Sequence, residues 1–237
     1  MITADKVKNQ IQSLIDTANE KTGKEDINLT SAVGSLVDGF GEDLIPYMTK
    51  INGIFQGAVF PENYEIVLNI KDGMAELSNI FASAVNLKKI TIKGNIADKV
   101  TMSSMLYNST DVEEINFSSV SLLAPSTLVH FCTNVNKLHT INGTFDLTNC
   151  TDLTSAFNGR SLKEIRIKKE TVYTSLKINL LSLLSDVSIQ SIIDGLADLT
   201  GGTAQVLTVH KDVRAKIESN PEQLATIIDK NWTLASS

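Results

Sequence analysis

The chain has little with which to do acid–base, redox or metal chemistry. Its 237 residues include only three histidines and two cysteines. Two cysteines, Cys132 and Cys150, are too few for a disulfide framework. They read as two buried thiols behaving as small apolar residues, the other reading being a single structural disulfide. A basic excess is also missing. The net charge is −6 and the pI near 5.1, whereas a nucleic-acid partner needs clustered Lys and Arg to displace counterions from phosphates. No apolar run approaches the roughly 20 residues of a membrane span. The opening "MITADKVKNQIQSLID" lacks the basic start and apolar block of a signal peptide. No nucleic-acid partner, no membrane and no signal peptide are therefore expected.

The missing chemistry extends to motifs. "TGGTA" lacks the Lys-Ser/Thr of a phosphate loop. No Cys, His or acidic residues have metal-ligand spacing, so no metal and no cofactor is expected. Cys132 lies between His130 and His139, the makings of a Cys–His pair, but it falls in an apolar column described below and should point into the core. Glu113 and Glu114 are adjacent, and neighbouring strand residues point to opposite sides, so they cannot flank one glycosidic bond. His139 reads as a rim residue, and His210 as a helix cap or an idle side chain. Six N-x-S/T matches, at Asn28, Asn108, Asn116, Asn142, Asn149 and Asn231, read as the product of an Asn/Ser/Thr-rich chain.

What is present is an ordinary globular composition, 42% hydrophobic and 20% charged, and a repeat. Leu77, Met102, Leu128 and Leu153 follow one another at steps of 25, 26 and 25. Four residues later Phe81, Leu106, Cys132 and Phe157 keep those steps. Leu87, Val112, Leu138 and Leu162 form a third column, Ile90, Ile115, Ile141 and Ile165 a fourth, and Ile92, Phe117, Gly143 and Ile167 a fifth. Leu87-x-x-Ile90-x-Ile92 ends in the period-two alternation of a half-buried strand. Leu77 and Phe81 have the spacing of one helical face. Each unit is therefore expected to be a turn or two of helix, a polar turn and a strand. Units that return to the same strand position stack as parallel strands, and one unit cannot bury its apolar face alone.

The stretches "AELSNIFASAVNLKKITI", "VTMSSMLYNSTDVEEINF", "TLVHFCTNVNKLHTI" and "TDLTSAFNGRSLKEIRI" resemble BspA-type leucine-rich repeats, in their surface-protein variant, with "NYEIVLNI" as a first truncated strand. The resemblance covers roughly residues 64–168 and implies an α/β, leucine-rich-repeat-like solenoid with a parallel sheet. The chain departs from that pattern in its poor retention of the turn cysteine and in "NGTFDLTNC", an awkward strand exit.

The ends differ in character. Ala4, Val7, Ile11, Leu14 and Ala18 lie at spacings of 3, 4, 3 and 4, an a/d seam of two heptads. It serves either as an amphipathic helix docking on its own domain or as an oligomerisation stalk giving a homo-oligomer. "LTSAVGSLVDGFG" is a second short helix, and "NGIFQGAVFPEN" a loop. After the repeats, "SDVSIQSIIDGLADLTGG" reads as a helix with Ser188 as N-cap and Ile189, Ile192, Ile193 and Leu196 as its apolar face. "VLTV" is a strand that could add a rung to the repeat sheet. Two short helices split at Asn220-Pro221 and a strand around Trp232 follow. Three regions result: an N-terminal helical attachment segment over 1–45, the solenoid over 46–185, and a mixed α/β cap over 186–237 that closes its open end.

"LIDTANEKTGKEDINLTSAVGSLVDGFG" and "SIQSIIDGLADLTGGTAQVLTVHKDVRAKI" with "LATIIDKNWTLA" resemble segments of proteins from phages and prophages of Firmicutes, among tail and baseplate accessory proteins. That resemblance implies a non-enzymatic virion component whose partners are other tail proteins, and a host surface protein or glycan. The other reading is a bacterial surface or secreted adhesin-like repeat protein. The candidate binding surface is the outward strand face, with rows Lys89, Glu114, Thr140, Glu164 and Thr91, Asn116, Asn142, Arg166. It is either a solvated, charge-compensated face, with Lys89 paired to Glu114, or a polar recognition surface suited to sugar hydroxyls.

Overall fold

The computed structural model describes residues 51–70, 73–117 and 122–237. The seam Ala4, Val7, Ile11, Leu14 and Ala18 lies outside the described residues, as do the rest of segment 1–45 and its second helix. The fold is α/β with parallel sheets. Eleven strands and three helices are described: β1 (Val59–Asn69), β2 (Met74–Glu76), β3 (Val85–Lys93), β4 (Ile96–Thr101), β5 (Glu114–Asn116), β6 (Pro125–Thr127), β7 (Thr140–Phe145), β8 (Glu164–Ile167), β9 (Leu176–Ile178), α1 (Asp186–Gly195), β10 (Gln205–Val209), α2 (Lys211–Glu218), α3 (Pro221–Asp229) and β11 (Trp232–Ser236). They form a five-stranded sheet in the order β1-β3-β5-β7-β8 and two three-stranded sheets, β2-β4-β6 and β11-β10-β9.

The strand register of the large sheet is the register of the sequence columns. Ile90 lies opposite Ile115, and Ile115 opposite Ile141, with Lys89, Glu114 and Thr140 in line beside them. On the other side of β3, Ile66 and Leu68 of β1 face Ile90 and Ile92. Leu77, Phe81, Leu87, Met102, Leu106, Val112, Leu128, Cys132, Leu138, Phe157 and Leu162 are all fully buried, and Leu153 nearly so. Inward residues of successive units thus meet in one continuous apolar core, where burial of a large side chain contributes about 1.5–3 kcal/mol.

The expected helical corner is not a helix. A helix would send the Phe81 N–H back to the carbonyl four residues earlier. Instead it donates sideways to Met105 O of the next unit at 3.0 Å, and Leu77, Asn79 and Ser83 donate likewise to Thr101, Ser103 and Tyr107. Leu106 and Asn108 repeat this one unit on, and His130 and Cys132 two units on. The intervening amides close short turns within a unit, Ala82 to Asn79 O and Ala84 to Phe81 O. Each corner but the last is a pair of consecutive turns whose remaining buried amides are satisfied by the neighbour above, as buried backbone requires. The corners place left-handed backbone at two points per unit, and at one in the last. Those points hold Asn79, Ser104, His130 and Ser155 at φ 52–55°, and Ser83, Asn108 and Asn134 at 58–61°. Asn tolerates this region best among non-glycine residues. The small polar residues that open each repeat are there for this bend.

The segment read as a loop at "NGIFQGA" is a further corner. Ile51, Gly53, Phe55 and Gly57 donate to Glu76, Ser78, Ile80 and Ala82, Ile51 and Phe55 are buried, and both glycines have positive φ.

The awkward strand exit is a register shift. Thr140 lies opposite Glu164, but Thr144 and Phe145, rather than Asn142 and Gly143, lie opposite Arg166 and Ile167. Gly143, at φ +148°, has Phe117 and Leu123 so close that a Cβ would meet both at 3.0 Å. Phe145 fills the core in its place and packs edge-on against Phe131 and Phe157.

Beyond β8 the chain forms α1, β10, α2, α3 and β11. Helix α1 takes the place of another strand. Ser188 Oγ accepts from Ile165 N at 3.1 Å, and Ser191 Oγ from Ile167 N at 2.9 Å, so a strand edge that would otherwise be open is closed by hydroxyls. Ser188 is thus a buried helical residue; the N-cap is Ser185, whose side chain accepts from Ser188 N. Ile189, Ile192, Ile193 and Leu196 are buried as expected. β10 does not extend the repeat sheet but pairs with β9 and β11. The break between α2 and α3 falls at Asn220, which caps α3 with Pro221 at its first turn. His210 caps α2 by accepting from Asp212 N. Lys230 Nζ reaches the carbonyls of Ile193, Asp194 and Leu196 at the end of α1, where a cation also complements the helix dipole.

Candidate functional site

The eight residues of the candidate surface are positioned by alternation about the buried isoleucines, and all are half-buried on the outward side of the large sheet. Lys89 Nζ stands 3.3 Å from Glu114 Oε1, and Asn142 Nδ2 donates to the same Oε1 at 3.0 Å. Thr140 Oγ1 meets His139 Nδ1 at 3.0 Å. Lys88 and Glu113 pair beside them at 3.6 Å. The first row continues onto β1, where Glu65 faces Lys89. The second row runs in register from Thr91 through Asn116 to Asn142 and then breaks, because Arg166 faces Thr144.

Glu164 and Arg166 are part of the α1 junction. The Arg166 guanidinium contacts Glu164 Oε2, Ile165 O and Ser188 Oγ, each at 3.1 Å. Burial pushes the Glu164 carboxyl up, but hydrogen bonds from Ser185, Arg166 and Ser188 outweigh it and leave the carboxyl below its ordinary range. The Lys137 ammonium holds Asp111 low from 2.8 Å, helped by the Asn86 N–H. At Asp146 burial raises the carboxyl, and Lys168 at 2.6 Å with Thr148 more than reverses it. These ion pairs lie at the surface, with Asp146 alone buried, and are of modest energy. Every charged member of the two rows has an opposite charge beside it.

The cysteines are not placed for nucleophilic work. Cys132 is fully buried, its Sγ on Ala156 O at 3.3 Å, and burial pushes the thiol up to about 12. Cys150 is buried, and its thiol is pushed up to about 11 for the same reason. Both are free, which settles the two cysteine readings in favour of buried thiols. Among the described residues, no cluster of three or more His, Cys, Asp or Glu is placed to hold a metal ion, and no helix is long and apolar enough to cross a membrane.

Reasoning from sequence missed the outward side of the corners. There Asn52 donates to Glu76 and Asn79 to Asn52, Asn134 donates to Asn108 at 2.9 Å, and Tyr107 packs edge-on against His130 at 5.8 Å. The available signal was the recurrence of Asn, Ser and Thr at two positions of each unit. Comparison with family models, with curated proteins and with solved structures finds no match.

Proposed function

We propose that this chain is a non-enzymatic component of a phage or prophage virion, a tail- or baseplate-associated protein built as a leucine-rich-repeat-like solenoid. Its repeat surface binds other virion proteins or a host surface protein or glycan. The observation that carries this reading is the pair of polar rows standing over a continuous apolar core, in register from β3 to β7, with no side chain among the described residues activated for chemistry: the carboxyls and cations of the rows neutralise one another, and the thiols are buried. The resemblance of both chain ends to phage tail proteins supplies the setting. Ala4, Val7, Ile11, Leu14 and Ala18 are the proposed seam of a homo-oligomer. Within the face, Lys89, Thr91, Glu114, Asn116, Thr140 and Asn142 are the proposed contact residues, and Glu164 and Arg166 serve the cap as well.

The test is mass spectrometry of purified phage or phage-like particles from an induced source culture. The chain is expected in proportion to tail proteins. Recovery only from the cell envelope or the medium overturns the virion assignment in favour of a surface or secreted adhesin. Light scattering of the full chain tests the seam, since a monomer contradicts it.

A further inference from the structure

We propose that the outward side of the stacked corners is a binding site for a linear neutral glycan. It rests on the reading above that a repeat surface is the recognition surface, and places the ligand on the corners instead of the strands.

The corners turn two pairs of positions outward at Ser103-Ser104 and Tyr107-Asn108 in one unit and at Val129-His130 and Thr133-Asn134 in the next, whereas Ser78, Ala82 and Gly159 at the equivalent positions of other units are buried. Across the five corners, from Asn52 to Gly159, none of these positions holds Asp, Glu, Lys or Arg, although 20% of the chain is charged. The strand face, by contrast, carries alternating charge along its first row. A corner stripe of amides and hydroxyls offers donors and acceptors side by side, the combination that sugar hydroxyls require, since each must both give and receive. The groups are preorganised. The Asn134 amide donates to Asn108 Oδ1 at 2.9 Å. Thr133 Oγ1 is held on Ser155 O at 2.8 Å, and His130 Nδ1 lies 3.4 Å from Thr133 Oγ1.

The stripe also holds what the strand face lacks, an aromatic pair. Tyr107 and His130 pack at 67° with centroids 5.8 Å apart, which presents a half-exposed ring against which the C–H face of a pyranose can rest. The rungs recur about every 4.8 Å, comparable with the length of one pyranose unit, so a linear chain can repeat its contacts from rung to rung. Other ligand classes fit less well. Nucleic acid needs cations, and a protein partner needs a buried apolar or Arg anchor.

The experiment is binding of the purified full chain to an array of short neutral oligosaccharides, with uronic-acid and sulfated oligosaccharides beside them. The variants are Tyr107→Leu, which keeps apolar volume but removes the ring, and Asn134→Asp, an exposed change that keeps a residue type suited to left-handed backbone. Neutral oligosaccharides are expected to bind, and Tyr107→Leu to weaken them about five- to tenfold, the equivalent of one lost aromatic contact. Asn134→Asp, which removes an amide donor, is expected to weaken them as well, and guards against misfolding at the half-buried Tyr107. Binding of acidic oligosaccharides alone, or no neutral binding at millimolar concentration, overturns the inference. So does binding abolished by Asn142→Ala but untouched by both corner variants, a result that leaves the strand-face reading standing. The array outcome is independent of whether the chain is found in particles.

Discussion

Replacing Gly143 by Ala tests the register shift in β7. Its φ of +148° is one that L-residues rarely adopt, and forcing one there costs about 1–3 kcal/mol. The added methyl also stands 3.0 Å from Phe117 Cβ and from Leu123 Cδ1, both on fully buried residues. Relieving that contact by moving a packed core costs a further 1–3 kcal/mol or so. Together these give a destabilisation of about 2–6 kcal/mol. Gly57→Ala is the control. Gly57 has φ +69° and nothing within 4 Å of a built Cβ, so it carries only the left-handed penalty of about 1–2 kcal/mol. Urea titration of the full chain, followed by circular dichroism, measures both. Gly143→Ala is expected to lower the midpoint well beyond Gly57→Ala. Equal effects would mean that Phe117 and Leu123 do not close over position 143 and that the two-residue shift is wrongly placed.

Other outcomes are expected. Ser188→Ala leaves Ile165 N without its partner and strips support from Arg166, so it should cost about 1–3 kcal/mol and speed amide exchange at Ile165. Lys230→Met removes three donations to the end of α1 and should lower stability by about 1–2 kcal/mol in the same titration. Asp111, Asp146, Asp152 and Glu164 all titrate lower folded than unfolded, so their ionised forms favour the fold. Their contribution is complete above the ordinary carboxyl range near about pH 4 and disappears as pH falls through the folded values. Denaturation midpoints should therefore be flat from that range up to neutral pH and fall below it. Cys132 and Cys150, with thiols near 12 and 11 and both buried, should resist a thiol-reactive dye in the native chain and react on unfolding.

The strand register was legible because stacking leaves a period: the isoleucine column must return to the same core at each unit, and insertions shift every column together. The corners were not. An apolar residue every fourth position is shared by a helix face and by two successive turns, and the direction of an N–H leaves no mark on side-chain spacing. The mark that does exist is the recurrence of Asn, Ser and Gly where backbone turns left-handed. Gly53 and Gly57 carry it in the first corner, which reads as a loop if glycine is taken only as a breaker. The shift at Gly143 was visible as an irregularity without its cause, since it depends on Phe145 reaching the core that Gly143 leaves empty. Among the candidate surface residues, Lys89, Glu114 and Asn142 come together as their columns imply. Glu164 and Arg166 are drawn into a junction with Ser188, which strand periodicity cannot reveal because the partner is a helix.

The most direct measurement is through-hydrogen-bond scalar coupling by nuclear magnetic resonance on the deuterated full chain. The stacked corner is expected to show coupling from the Phe81 amide nitrogen to the Met105 carbonyl carbon, and from Leu106 to Phe131. Couplings running instead from each corner amide to the carbonyl four residues earlier would restore the helix, and would contradict both the stacking of the units and the polar stripe built on it.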